Sequence, residues 1–257
     1  MTLAPDTPLV LEVRASPNFG EREGGLRPSI LLLHYTGVQT AAKAIDWLTT
    51  AESKVSCHYA INEAGRITQM VAEGMRAWHA GEAVWAGEND INSASIGIEI
   101  HNPGHQWGYV EYPDAQMRSV EELCLDIVGR HGIRPERVLA HSDVAPRRKQ
   151  DPGEKFSWER LARAGVGHWV KPEPLKPAEP GLATGVAGPL VADVQELLAS
   201  YGYGIEATGL VDAQTDYVVA AFQRHFRPAR VDGRIDQSSI TTLQRLVAAL
   251  PKQPLVA

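Results

Sequence analysis

The chain has 257 residues, of which 44% are hydrophobic and 22% are charged, as in an ordinary soluble globular protein. Its formal net charge of −6 and its dispersed basic residues argue against a nucleic-acid-binding protein. No run approaches the about 18 apolar residues that a membrane-spanning helix needs, and residues 1–18 lack the basic start and apolar core of an export signal. We therefore expect a cytoplasmic protein, or a periplasmic one if an export signal has been removed. The two cysteines, Cys57 and Cys124, are expected to be buried free thiols.

Strand-like and helix-like segments alternate through the first two thirds of the chain, which is the pattern of an α/β protein. Hydrophobic patterns predict strands at residues 9–13, 30–35, 57–61, 66–71, 96–100 and 138–141. They predict helices at residues 41–48, 115–130 and 158–164. Asn62-Glu63-Ala64-Gly65 is typical of a hairpin turn between two of these strands. We therefore expect a mixed central sheet flanked by helices.

A proline-rich segment separates this part from the rest of the chain. From Lys171 to Pro180, prolines alternate with charged residues, so the segment offers little apolar surface to bury. The composition predicts an extended linker. We place a first domain at residues 1–170, a linker at 171–188 and a second, smaller domain at 189–257.

The second domain carries an internal repeat. Residues 190–201 place apolar side chains on one helical face. Two similar segments each end in an aspartate that is suited to cap the following helix. They are Gly209-Leu210-Val211-Asp212 and Gly233-Arg234-Ile235-Asp236. This pattern predicts helices at residues 215–226 and 239–250, and so a three-helix module. The module holds no candidate catalytic cluster, and we expect it to bind a partner.

Two predicted strands end in a histidine: Leu31-Leu32-Leu33 leads into His34, and Val138-Leu139-Ala140 leads into His141. Such a histidine is commonly a satisfied core residue, but open α/β sheets also place their sites at the carboxyl ends of strands. Asp151 follows in a proline-flanked loop. Two imidazoles and one carboxylate, with a fourth position left to water, are a usual ligand set for a catalytic zinc ion.

Glu99 is a second functional candidate, because it interrupts the apolar strand that runs from Ser95 to Ile100. If the strand lies at an edge of the sheet, this side chain faces water. If the side chain faces a cleft, burial raises the pKa of the carboxyl group and suits it to act as a general base. Lys149, close to Asp151 in sequence, could direct a positive charge at an oxyanion in the same site. Surface or structural roles are expected for His105, His131, His168 and His225.

Five short sequence motifs, taken together and in this order, resemble those of a known protein family. They are His34-Tyr35-Thr36, Cys57-His58-Tyr59, Ala77-Trp78-His79-Ala80-Gly81, Ser95-Ile96-Gly97-Ile98-Glu99 and the run from His141 to Gly153. Residues 28–165 resemble the zinc-dependent N-acetylmuramoyl-L-alanine amidases of the amidase-2 family, which are related to peptidoglycan recognition proteins. The C-terminal segment is similar to the three-helix peptidoglycan-binding domain. The two-domain layout is similar to that of the AmiD-like branch of the family.

The resemblance implies a role for each matched residue. His34, His141 and Asp151 would hold zinc. Glu99 would be the general base, and Lys149 would stabilise the tetrahedral intermediate.

The resemblance also implies residues that meet the substrate. The block Trp78-His79-Ala80 and Asn92 would lie along the substrate groove, and His58 would lie in the cleft or behind the ligands. Arg148 would meet a carboxylate of the stem peptide, since a guanidinium fork matches that group.

The implied reaction is hydrolysis of the amide between N-acetylmuramic acid, in its ordinary or 1,6-anhydro form, and L-alanine. The expected partners are therefore muropeptides or peptidoglycan, and we expect a monomer. Two other possibilities stay open: an exported amidase that acts on intact peptidoglycan, and a peptidoglycan-binding protein without activity. Non-catalytic relatives typically lack a metal ligand, whereas all three candidate ligands are present here.

Overall fold

The computed structural model describes residues 3–176 and 179–251. Its strands are β1 (Glu12–Val13), β2 (Phe19–Gly20), β3 (Ile30–Tyr35), β4 (Tyr59–Ile61), β5 (Ile67–Gln69), β6 (Arg76–Ala77), β7 (Ser95–Ile100) and β8 (Val138–Ala140). Six of them form the central sheet, in the order β1-β5-β4-β7-β3-β8, while β2 and β6 pair separately. Strands β4 and β5 are antiparallel, and the other neighbours in the central sheet are parallel. The expected mixed sheet is confirmed.

Helices surround the sheet in the first part of the chain. They are α1 (Ala41–Leu48), α2 (Ile91–Ala94), α3 (Asp114–His131), α4 (His141–Val144) and α5 (Trp158–Arg163). The prediction of α1, α3 and α5 is confirmed. The prediction missed the single-turn helices α2 and α4, because four residues are too few to show a helical period. It also extended β8 by one residue, since His141 already begins α4.

Alternate residues of the central strands face opposite sides of the sheet. In β7, the three isoleucines pack on the side of α3, together with Leu31 and Leu33 of β3. Ser95, Gly97 and Glu99 therefore face the other side, as does His34. This second side is apolar at the start of β3, where Ile30 and Leu32 are fully buried, and becomes polar at its end.

Three further helices follow: α6 (Pro189–Tyr201), α7 (Ala213–Phe226) and α8 (Gln237–Ala248). Asp212 accepts a hydrogen bond from the backbone N–H of Thr215, and Asp236 accepts one from Ser239, at 2.8 and 2.7 Å. The two predicted aspartate caps are thus confirmed. The helices begin directly after the caps, two residues earlier than predicted.

The predicted linker includes residues 177–178, which lie outside the described residues. Its earlier part lies against α8: the backbone N–H of Glu173 donates to the Thr242 hydroxyl at 3.0 Å, and its carboxylate binds Arg245 at 2.6 Å. The domain boundaries proposed from the sequence stay a prediction. Both cysteines are buried and free, as expected.

One apolar core runs between the sheet and the C-terminal helices. Ile30 and Leu32 of β3 belong to the same buried cluster as Leu198 of α6 and Phe222 of α7. The C-terminal helices therefore share a core with the face of the sheet that ends in the polar site. Among the described residues, no helix has the length and apolar character needed to cross a membrane.

Candidate metal centre and active-site cleft

The carboxyl ends of two neighbouring strands and one loop bring the candidate ligands together. His34 is the fifth residue of β3, and His141 comes directly after β8, which is paired with β3. The third candidate, Asp151, lies in the loop after α4, and its carbonyl accepts a hydrogen bond from the backbone N–H of Ser142 at 3.0 Å. Because parallel strands end at one edge of the sheet, residues far apart in the chain meet there.

The three side chains converge through one atom each. The Nδ1 atoms of His34 and His141 are 2.8 Å apart. The Oδ2 atom of Asp151 lies 3.2 Å from Nδ1 of His34 and 2.9 Å from Nδ1 of His141. All three residues are buried. The arrangement leaves the two rings and the carboxylate facing a common point.

The remaining ring nitrogens are engaged in hydrogen bonds that fix the tautomers. Nε2 of His141 donates to the carbonyl oxygen of Ala80 at 3.0 Å. Nε2 of His34 lies 3.0 Å from Nδ1 of His79, whose own Nε2 lies 3.3 Å from the hydroxyl of Ser95. That hydroxyl donates to the carbonyl of Ile91 at 2.5 Å, so its oxygen accepts from His79. His79 in turn accepts from His34.

Both ligand rings therefore keep an unprotonated Nδ1 towards Asp151. Three electron-pair donors that face one point are stable together only when a cation or a proton lies between them. A divalent cation that takes imidazole and carboxylate ligands fits this donor set.

The pKa shifts agree with a cation site. Burial, and next the neighbouring His141, lowers the pKa of His34 to about 4, so the ring is neutral at pH 7. Burial alone would raise the pKa of Asp151, but His141 and His34 outweigh it and hold this pKa well below its usual range. His34 thus offers a neutral imidazole, and Asp151 offers an ionised carboxylate.

Glu99 lies next to the ligands, in register with His34 across β7 and β3. Its Oε2 atom is buried and has no hydrogen-bond partner among the described residues. Burial, and then the negative charge of Asp151, raises the pKa of Glu99 well above its ordinary value, while Lys149 opposes the shift. An unpartnered carboxylate with a raised pKa is suited to accept and return a proton.

A cleft of about 330 Å³ opens over this group. Glu99, His141, Asp151 and Lys149 all line it. Its walls include the aromatic side chains of Tyr35, Trp47 and Trp78. A second cavity of about 270 Å³ shares Tyr35, Lys149 and Asp151 with it and reaches Arg148 and His105.

Comparison with known proteins identifies the family. Residues 24–154 match the family model described as N-acetylmuramoyl-L-alanine amidase. The chain belongs to the N-acetylmuramoyl-L-alanine amidase family. Residues 187–243 of the amidase match a peptidoglycan binding domain. Both matches confirm the resemblance predicted from the motifs.

The amidase is also similar to characterised relatives. It is 34% identical to N-acetylmuramoyl-L-alanine amidase AmiD of Escherichia coli, over 86% of this chain and 83% of that protein. A solved complex of AmiD with the substrate anhydro-N-acetylmuramic acid-L-Ala-D-gamma-Glu-L-Lys superimposes with a TM-score of 0.73, over 91% of this chain and 98% of that one. AmpDh3 from Pseudomonas aeruginosa, in complex with anhydromuramic pentapeptide, gives a TM-score of 0.73 at 29% identity, over 98% and 99% of the two chains.

The residues expected along the substrate groove fall into two groups in the amidase. Trp78 and His79 line the cleft. Ala80 is 1% exposed and acts through its backbone, because its carbonyl accepts from His141. Arg148 lies at the second cavity, where its guanidinium donates to the carbonyls of Ala80 and Glu82.

His58 and Asn92 lie behind the cleft, which is one of the two places expected for His58 but differs from the groove position expected for Asn92. His58 is fully buried: its Nδ1 accepts from the backbone N–H of Gly97 at 2.9 Å, and its Nε2 lies 3.1 Å from the carbonyl of Met75. Asn92 is 8% exposed, and its side-chain oxygen accepts from the backbone N–H groups of His79 and Ala80. Both side chains shape the backbone behind the cleft, because buried polar groups must find partners there.

Sequence reasoning missed two residues that support the site. Ser95 ends the hydrogen-bond chain that starts at His34. Gly97 gives room to His79, since a Cβ atom at this position would lie 2.6 Å from the imidazole ring. The alternation of Ser95, Gly97 and Glu99 with isoleucines was the available signal, because it places all three on one face of β7.

Proposed function

We propose that the amidase hydrolyses the amide between N-acetylmuramic acid and L-alanine in soluble muropeptides that carry the 1,6-anhydro sugar, with zinc held by His34, His141 and Asp151. The observation that carries this proposal is the convergence of three donor atoms beside the unpartnered carboxylate of Glu99. The two solved relatives, whose bound molecules carry the anhydro sugar, support the choice of substrate.

The donor set is suited to zinc because imidazole nitrogen and carboxylate oxygen are ligands that zinc accepts, with a position left open. When bound there, zinc supplies a Lewis acid that lowers the pKa of a coordinated water towards 7. The hydrogen bonds from His141 to Ala80 and from His34 to His79 keep the two ligand rings in the required tautomer.

Glu99 performs the proton transfers in this mechanism. Its carboxylate takes a proton from the attacking water and passes it to the amine of the departing L-alanine. Its position beside His34 and its raised pKa make both steps accessible near neutral pH. One residue therefore acts first as base and then as acid.

Lys149 lines the cleft and supplies positive charge there. As the amide carbon becomes tetrahedral, negative charge grows on the carbonyl oxygen, and the ammonium group stabilises it. Trp78 and Tyr35 provide apolar walls against which the sugar and its lactyl group pack.

The second candidate function is cleavage of intact peptidoglycan outside the cytoplasm. The match of residues 187–243 to a peptidoglycan binding domain favours it.

The cytoplasmic location expected from the sequence, with the periplasm as its alternative, stays a prediction that cell fractionation tests. A non-catalytic binder is disfavoured, because the three proposed ligands converge and two of them, His141 and Asp151, line the same cleft as Glu99.

Incubation with defined substrates tests the proposal. The full chain is given an anhydro-muramyl tripeptide, the same tripeptide on ordinary N-acetylmuramic acid, and purified peptidoglycan sacculi, each with and without a chelator. Mass spectrometry should detect a free peptide with an L-alanine amino terminus, fastest from the anhydro sugar, and zinc should restore the chelated reaction. Preferential release from sacculi would favour the second candidate. Failure to cleave any of them with zinc present would contradict the amidase activity.

A further inference from the structure

Asp143 lies where the C-terminal helices meet the part of the chain that carries the ligands. It is the third residue of α4, the single-turn helix that begins with His141. Its side chain is fully buried. A buried carboxylate is stable only when hydrogen-bond donors surround it, so the identity of its donors shows what holds α4 in place.

Three donors surround the Asp143 carboxylate. The backbone N–H of Ala140 donates to Oδ2 at 2.8 Å, which ties the carboxylate to the start of α4. The hydroxyl of Tyr203 donates to Oδ1 at 2.7 Å, and Nδ1 of His225 donates to Oδ2 at 2.6 Å. Tyr203 follows α6 and His225 belongs to α7. Two of the three donors therefore come from the C-terminal helical unit, residues 189–248.

Aromatic packing holds both donors in position. The His225 ring stacks on Trp158, with centroids 3.7 Å apart. The Tyr203 ring meets Trp85 edge-on, with centroids 4.9 Å apart. Tyr203 and His225 are 3% and 2% exposed, so water does not compete for the carboxylate.

The same unit supports the loop that fixes the His141 ring. From this unit, the carbonyl of Gly202 accepts a hydrogen bond from the backbone N–H of Ala86 at 2.8 Å, while the backbone N–H of Val84 ties the loop to α4 by donating to the carbonyl of Val144 at 2.9 Å. This loop begins at Ala80, whose carbonyl accepts from His141. The C-terminal unit is thus linked to His141 by two sets of hydrogen bonds. One set runs through Asp143, and the other runs through the loop of residues 80–86.

We infer that the C-terminal helical unit positions the metal centre, with Tyr203 and His225 as positioning residues that hold Asp143 and thereby aim His141. The inference rests on the proposed metal site. It gives the unit a role in the reaction besides any role in binding peptidoglycan. A helix of one turn has little stability of its own, so the direction of its first side chain depends on such external contacts.

Zinc affinity of single variants tests the inference. Tyr203→Phe and His225→Phe remove one donor each and keep an aromatic ring. The matched control is Tyr201→Phe, since the Tyr201 hydroxyl is 2.9 Å from Nδ1 of His168 and the residue is also buried, at 5% exposure. In competition with a chromogenic chelator, the first two variants of the full chain should bind zinc about tenfold more weakly, as when a group that orients a ligand is lost. The control should bind as the wild type does.

A rescue variant separates the hydrogen bond from the packing. His225→Asn keeps a side-chain N–H near the position of Nδ1 but loses the stack on Trp158, so its zinc affinity should lie closer to the wild-type value than that of His225→Phe. Unfolding midpoints of the metal-free proteins measure any general loss of stability in each variant.

Two results would overturn the inference. If Tyr203→Phe and His225→Phe bind zinc as tightly as Tyr201→Phe, the helical unit does not position the centre, although the proposed metal site stands. If the wild-type protein does not bind zinc, the proposed metal site fails, and the inference fails with it.

Discussion

At the scale of single residues, proton positions decide what the site can do. His34 and His141 each donate through Nε2 and keep an electron pair on Nδ1, whereas Glu99 keeps an unpartnered oxygen beside them. The proposed ligand carboxylate and the proposed catalytic carboxylate thus lie in one cleft with their pKa values shifted in opposite directions, since that of Asp151 is lowered and that of Glu99 is raised. Such divergence assigns the two carboxylates to different roles.

Glu99→Gln should remove the base and leave the metal centre intact. The amide has nearly the shape of the carboxylate but cannot take the proton, so kcat should fall by about 10²–10⁴-fold. Zinc content, measured by elemental analysis, should not change. Glu122→Gln is the control, because Glu122 is an exposed carboxylate on α3. Near-normal turnover in Glu99→Gln would exclude Glu99 as the base.

Gly97→Ala should disturb the centre through His79. The added Cβ would lie 2.6 Å from the His79 ring, which must move away from Nε2 of His34. Zinc affinity should fall, and the free energy of unfolding should drop by about 1–3 kcal/mol. In Gly129→Ala, also a glycine-to-alanine change, the new Cβ meets nothing within 4 Å. That helix-interior control should bind zinc normally, and equal zinc affinity in the two variants would contradict the role given to His79.

At the scale of the elements, polar networks bind strands and helices behind the cleft. The Glu73 carboxylate accepts from the Tyr59 hydroxyl of β4 at 2.6 Å, and from Arg130 and His131 at the end of α3. Glu73 is 3% exposed. Burial alone would raise its pKa, but the hydrogen bonds from Arg130, Tyr59 and His131 outweigh it and lower the pKa to about 2.

Glu73→Gln should therefore destabilise the protein at neutral pH and much less in acid. The folded pKa is depressed, so its contribution is present above about pH 4.5 and disappears as the pH falls towards 2. A pKa lowered from 4.5 to about 2 corresponds to about 3 kcal/mol at pH 7. Urea unfolding of both proteins at pH 7 and at about pH 2.5, where little of the contribution is left, measures the difference. A difference that is the same at both pH values would show that the charge of Glu73 does not cause it.

Long periodic elements were predictable from the sequence, and short or distant ones were not. The apolar run of β3 and the helical spacing of α3 gave bounds within one residue of those observed. The candidate metal ligands could be proposed from the sequence because two predicted strands end in histidine and because the motifs resemble those of a known family. The partners of Asp143 were not: His225 is 82 residues away in sequence, and no local pattern shows that a buried histidine on α7 faces that carboxylate. Contacts across the sheet and the C-terminal helices depend on how whole elements pack.

At the scale of the whole molecule, the sheet and the C-terminal helices share one core. Trp85, in the loop that supports His141, is 1% exposed and packs against Tyr201 and Tyr203 of the C-terminal unit. Close approach at Gly202 completes this contact, since a Cβ atom there would lie 2.6 Å from the Trp85 ring. Because apolar contacts join the two parts, unfolding of the C-terminal helices would expose buried apolar surface of the sheet part to water, and the reverse also holds.

Zinc binding should consequently stabilise both parts together. Calorimetry of the full chain should show one unfolding transition with or without a chelator, because the continuous core makes unfolding cooperative. At a free zinc concentration about 1,000 times its dissociation constant, binding adds about 4 kcal/mol to the folded state, which raises the midpoint by about 8–16 °C for a chain of this length. Hydrogen exchange in the amides of α7 should slow with zinc as much as it does in β3. Two transitions, of which only the first responds to zinc, would show instead that the C-terminal helices fold independently of the metal centre.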